Sequence, residues 1–295
     1  MSATSTTRAS GLTLTMRASR AALQWRLLLL WLGLLLIPTV VAIIPLWRTL
    51  SASLDQAVHA AALAHKLDLM TLADLIANTG RNGAAISQAA IAGIILTLLL
   101  SPLLSGLVVT AARAPAPLGF GPLLTGAFSE YGRMLRMLLW SIVPLGVALA
   151  IGAGALKLAD KHAAKAILEA DADLARHLAL LVTGLLFLLA CATLDAGRAA
   201  LAIDRRRTSA VKAWWRGLGM LRRRPLACLA IYLVITMLGL ALYALLGVAR
   251  LNLAAPDPLA IVAGLVVTLL ATLVLAWMRS ARLFALIDVK RSLAW

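Results

Sequence analysis

The feature that most limits what this chain can become is the layout of its apolar residues. They fall in six runs of about twenty or more, at 27–47, 85–111, 137–156, 178–197, 226–246 and 259–278, with hardly a charge inside them. A bilayer hydrocarbon core of about 30 Å takes roughly 20 such residues wound as an α-helix. Backbone groups in lipid have no partner but one another, which makes the helix the spanning form for runs of this kind. Composition agrees: the chain is 62% hydrophobic and 14% charged, against roughly 45–50% and 25% in a soluble domain. The expected fold is all-α, an integral membrane bundle of six transmembrane helices over 27–278. A basic N-terminal tail at 1–26 precedes it and a C-terminal tail at 279–295 follows.

Arg17, Arg20 and Arg26 before the first run resemble the start of a signal peptide. The run itself is 21 residues long, beyond the roughly 7–15 of a signal-peptide core, and it is expected to stay as an uncleaved anchor.

Orientation follows from Lys and Arg, which short cytoplasmic loops retain during insertion. The N-terminal tail, the second and fourth loops and the C-terminal tail hold 20 basic residues against 4 acids, counting Asp195 with the fourth loop. The first, third and fifth loops hold 8 of each. One face therefore carries the whole net charge of +16. That face is expected in the cytoplasm with both termini, at the inner membrane of a bacterium, and the basic balance is a topology signal that calls for no nucleic acid. The three outer loops then pair the helices into three hairpins. A basic stretch with helical apolar spacing precedes the odd-numbered span of each, at 20–26, 128–136 and 211–224.

The richest of these stretches lies within 202–224. A helix started by Ser209 would align Val211, Trp214, Leu218 and Leu221 on one stripe with Trp215 beside it. Lys212, Arg216 and Arg223 would point away. This is the pattern of a short amphipathic helix in the membrane interface, with tryptophans at headgroup depth and basic residues on anionic lipid. Lys212, Trp214, Trp215, Arg216, Arg222, Arg223 and Arg224 are the expected lipid-surface contacts. Basic loops and tryptophan belts also arise from insertion alone. At 120–136, Leu124, Phe128, Tyr131 and Leu135 give a similar stripe, and Glu130 with Arg133 can pair across one helical turn.

Asp195 and Arg198 sit three apart at the end of the fourth span, where a local ion pair fixing the helix end is the expected role. His59, His65, His162 and His177 all fall in outer loops near Asp55, Asp68 and Asp160, at spacings that match no metal motif. Cys191 and Cys228 stand alone in apolar runs and read as packing residues. In the first loop, Leu54, Val58, Ala62 and Leu67 mark one face of a short helix, and Thr71 with Asp74 would cap a second.

Small residues recur every four positions on three spans: Ala85, Ala89, Gly93, Thr97, Ser101 and Ser105; Gly146, Ala150 and Gly154; Ala260, Gly264, Thr268, Thr272 and Ala276. Such stripes let helices approach closely. Pro38, Pro45, Pro102 and Pro144 lie inside spans, where they fit a bent bundle or a gate.

No phosphate-binding loop, GxSxG, HExxH or acidic cluster is present. No catalytic residue, metal or cofactor is expected, and enzyme readings are weak. The stretches FSEYGRMLRMLLW at 128–140 and LDAGRAALAIDRRRTSAVKAWWRGLGMLRRRP at 194–225, with the basic start to the first span, resemble bacterial six-helix inner-membrane proteins related to the glycerophosphodiesterase-type membrane domain. The resemblance covers most of the chain, without the phosphodiesterase barrel, and implies a six-helix bundle that assists or accompanies another protein. The function expected is that of a non-enzymatic scaffold, accessory subunit or lipid-surface adaptor. Its partners would be anionic headgroups and either another membrane protein or a second copy. The alternative is a transporter or channel for a hydrophobic or lipid-like substrate, for which a continuous polar cavity would speak.

Overall fold

A computed structural model of the chain describes residues 11–54, 83–164, 169–204, 209–253 and 258–292. Every element there is an α-helix: α1 (Gly11–Ala21), α2 (Trp25–Leu54), α3 (Gly83–Arg113), α4 (Phe120–Ala163), α5 (Glu169–Ile203), α6 (Ala210–Arg223), α7 (Pro225–Leu251) and α8 (Pro258–Ser292). Six of them, α2 to α5 with α7 and α8, are long and apolar enough to cross a membrane, and the chain is a multi-pass membrane protein. The two helices expected in the first loop, with Thr71, His59 and His65, lie outside the described residues.

Helix length separates what crosses from what does not. At about 1.5 Å per residue, the 44 residues of α4 reach about 66 Å, twice a bilayer core. Its first turns, 120–136, therefore continue the span outward as one helix instead of lying apart from it. The same holds for α8, which runs past Met278 to Ser292. The residues expected as a tail supply Ala281, Leu283, Ala285, Leu286, Ile287 and Val289 to the core. Pro38, Pro45, Pro102 and Pro144 sit inside helices that continue through them.

Neighbours in sequence pack together: α2 on α3, α3 on α4, α4 on α5 and α7 on α8, while α8 also lies against α5, α2 and α3. The core forms at one end of the bundle, where all eight helices contribute. Examples are Ala18, Leu27, Leu107, Leu123, Leu201, Met220, Ile231 and Leu286. This is the end that carries α1 and α6, called here the basic end. Toward the far end the helices expose apolar side chains. Ile142, Val143, Val147 and Ile151 of α4 are exposed, and only 11% of the most apolar window of α8 is buried. Surfaces of this kind are at home against lipid tails.

Small residues set the helix spacing, though not always on the expected stripe. A β-carbon on Gly93 would meet Ala42 and the carbonyl of Pro38, and one on Gly264 would meet Arg250. On α4 the expected stripe faces open space: among the described residues a β-carbon on Gly146 or Gly154 would meet nothing within 4 Å outside its own helix backbone. The packed face is instead Ser141, Ala148, Gly152 and Ala159, with Gly152 against Thr183 of α5. The two stripes are offset by two residues, about 200° around a helix, and both contain small residues. Periodicity alone does not say which one meets a partner.

Candidate functional site: an arginine-lined cavity

Near the basic end, the last turn of α5 leaves carbonyl oxygens without partners, as every helix C-terminus does. Two arginines from neighbouring helices fill that need. Arg113 of α3 donates from Nε to the Ala202 carbonyl at 2.5 Å and from Nη2 to Leu201 at 3.3 Å. Arg133 of α4 donates from Nη2 to Leu201 at 2.7 Å and to Asp204 at 2.5 Å. Cations at a helix C-terminus are also favoured by its dipole. Glu130 holds the two together, accepting from Arg113 at 2.5 Å and from Arg133 at 2.6 Å. It is 5% exposed. The Glu130–Arg133 pair is the one its spacing suggests; Arg113 and the α5 carbonyls are the part that spacing does not reveal.

One to two turns along α5 from this clamp, Asp195 accepts from Arg198 at 2.5 Å. The pair lines a cavity of about 450 Å³ between α3, α4, α5, α7 and α8. Arg279 and Arg282, one helical turn apart on α8, enter the same space. Arg279 reaches Ser101 Oγ from Nη2 at 3.4 Å, and its guanidinium stands 5.8 Å from the Trp31 ring. Arg282 reaches Thr236 Oγ1 from Nη1 at 3.3 Å and lies 4.8 Å from the Tyr232 ring. Its Nε is buried and has no hydrogen-bond partner among the described residues.

The three guanidiniums have, among the described residues, one carboxylate in the cavity, Asp195, and its ion pair is with Arg198. Among the described residues no carboxylate pairs with Arg279 or Arg282. Charge in this setting is costly unless matched, so the cavity carries two positive charges in excess. Its remaining wall is apolar, with Leu138, Leu145, Phe187 and Leu188. Cys191 also lines it, half-buried, whereas Cys228 is buried in the core. A space that is cationic at one side and greasy at the other suits an anionic amphiphile, and its size falls within the roughly 300–1,000 Å³ of small-molecule sites.

The helix expected from Ser209 is α6, and the Ser209 hydroxyl accepts from the Lys212 backbone N–H. Its protein-facing side is Ala210, Ala213, Gly217 and Met220, rotated from the expected apolar stripe. Trp214 is held by the bundle: its indole donates to Thr193 Oγ1 at 3.1 Å and its ring meets Trp140 edge to face. Trp215 points outward at 58% exposure, with Val211 on the same exposed side. Arg216 stands 3.8 Å from Asp204 at the surface, and Lys212 and Arg223 are exposed while Arg222 is on the rim of a small apolar pocket under α6. Among the described residues no three His, Cys, Asp or Glu side chains gather as a metal-holding group. His162 and His177 are exposed.

Arg279 and Arg282 are the site residues that sequence reasoning missed, because the apolar run stops at Met278. The available signal was the pattern beyond it. Ala281, Phe284, Ala285 and Val289 keep helical spacing and the two arginines interrupt it one turn apart. Comparison with protein-family models, with curated proteins and with solved structures finds no match.

Proposed function

We propose that this chain is a non-enzymatic bacterial inner-membrane protein, built as three helical hairpins with both termini in the cytoplasm, that holds an anionic, lipid-like molecule in the cavity at Arg198, Arg279 and Arg282. The observation that carries the proposal is the pair of guanidiniums on α8 that, among the described residues, have no carboxylate, one of them with a buried Nε that has no partner there. An anion entering from the membrane would supply the missing charge while its chain ran along the apolar wall. Holding and releasing such a molecule is the elementary step of a lipid carrier, and that is the reading favoured here.

A second reading is supported by the solid core at the basic end and by the outward pair Val211 and Trp215. In it the protein is a scaffold or accessory subunit, with α6 seated in the interface on anionic headgroups through Lys212, Trp215, Arg216, Arg222, Arg223 and Arg224. The resemblance to the glycerophosphodiesterase-type membrane domain fits this accompanying role.

Extraction of lipids from the purified full chain separates the two. The cavity reading expects an anionic lipid to copurify in near-equal amount with wild-type protein and to be lost from the Arg279→Gln, Arg282→Gln double variant. Lipid content that is the same in both, in two preparations with the same melting profile, would leave the scaffold reading.

A further inference from the structure

Given the reading above, on which this inference rests, we infer that the cavity takes a phosphomonoester, the dianionic end group of a lipid phosphate, in preference to the monoanionic phosphodiester of ordinary bilayer lipids. The charge balance is the first ground. Asp195 and Arg198 neutralise each other at 2.5 Å, which leaves Arg279 and Arg282 as two uncompensated cations on one small space. A phosphodiester brings one negative charge and leaves one partly buried guanidinium unmatched. A phosphomonoester carries a charge of about −1.5 to −2 near neutrality and three strong acceptor oxygens.

Geometry is the second ground. Residues three apart on a helix have Cβ atoms about 5–6 Å apart, and Arg279 and Arg282 both line the one cavity, so a single group placed between them can draw on both guanidiniums. Beyond the rings of Trp31 and Tyr232, neither has a charged partner among the described residues to give up. Arg279 has a 3.4 Å contact with Ser101, Arg282 has a 3.3 Å contact with Thr236, and Arg282 Nε has none. Guanidinium presents several N–H groups in a fixed fork, the arrangement that binds phosphate oxygens two at a time. Leu145, Phe187 and Leu188 continue the cavity as an apolar wall, which accepts the first methylenes of a chain and does nothing for a free ion.

The test uses the delipidated full chain in detergent and three probes: a short-chain phosphatidic acid, the phosphatidylmethanol with the same chains, and inorganic phosphate. The two lipids differ by one methyl group and one charge. The expected result is that phosphatidic acid binds roughly tenfold or more tightly than phosphatidylmethanol, since only the dianion carries the second unit of negative charge to match the second guanidinium. Arg279→Gln or Arg282→Gln should erase that difference, and Arg279→Lys should restore part of it. Arg250→Gln, at the far end of α7, should leave it intact. Equal affinity for the two lipids in a well-folded protein would overturn the dianion while leaving anionic-lipid binding in place. No binding of either lipid would remove both. Competition by inorganic phosphate as strong as by phosphatidic acid, with the same dependence on Arg279 and Arg282, would keep the dianion and overturn the lipid.

Discussion

A β-carbon added to Gly217 of α6 would lie 2.5 Å from the backbone nitrogen of Gly197 on α5. The two helices meet backbone to backbone, and this contact seats α6 on α5. The obstacle is main chain and cannot rotate away. Gly217→Leu should therefore cost at least the roughly 1–3 kcal/mol of an overpacked core site. It should also free α6, seen as a lower melting temperature in detergent and faster trypsin cleavage at 205–207. Gly219→Leu is the control, since among the described residues a β-carbon there would meet nothing within 4 Å outside its own helix backbone.

The neighbouring tryptophans should separate cleanly. Trp214 is hydrogen-bonded to Thr193 and stacked edge to face on Trp140, so Trp214→Ser is expected to cost about 3 kcal/mol or more. Trp215 is mostly exposed, and Trp215→Ser should change stability in detergent by less than about 0.5 kcal/mol. Binding of a peptide spanning 208–224 to anionic vesicles, read by flotation, should fall with Trp215→Ser through loss of apolar burial. Equal loss of stability in both variants would contradict the inward seating of Trp214.

Glu130 is the hinge of the clamp on α5. Glu130→Gln leaves Arg113 and Arg133 without their shared carboxylate, a loss of about 3–5 kcal/mol for a buried pair. Buried ion pairs can often be exchanged for apolar residues at little cost. That rescue should fail here, because both arginines also serve carbonyls of Leu201, Ala202 and Asp204. The Glu130→Met, Arg113→Met, Arg133→Met triple variant should melt no higher than Glu130→Gln.

Topology is open to labelling in intact spheroplasts. Single cysteines at Ser2, Thr208 and the C-terminus should resist an impermeant thiol reagent, while those at Asn78 and Ala170 should react. Reaction at Thr208 with protection at Asn78 would invert the charge-based orientation.

The six spans are legible in the sequence because lipid demands one property, apolarity, over one length. The two intrahelical pairs, Glu130 with Arg133 and Asp195 with Arg198, are legible because they depend on helical spacing alone. What spacing cannot show is which helix lies opposite. Arg113 therefore stayed hidden, as did the choice between Gly146 and Gly152 on α4 and the inward turn of Trp214. Arg279 and Arg282 were misplaced for another reason. A hydropathy boundary marks where lipid ends, and α8 goes on being buried beyond it by protein. α1 was missed similarly: Thr15, Ala18 and Ala22 are buried, but small residues in a basic stretch leave little apolar signal.

The most direct measurement is an electron cryo-microscopy map of the full chain in particles cut from its native membrane without detergent. The account predicts density for a headgroup touching Arg279 and Arg282, with a tail lying along Leu145 and Phe187. A cavity that holds only water, or an Arg282 Nε paired with a carboxylate of the chain itself, would contradict it.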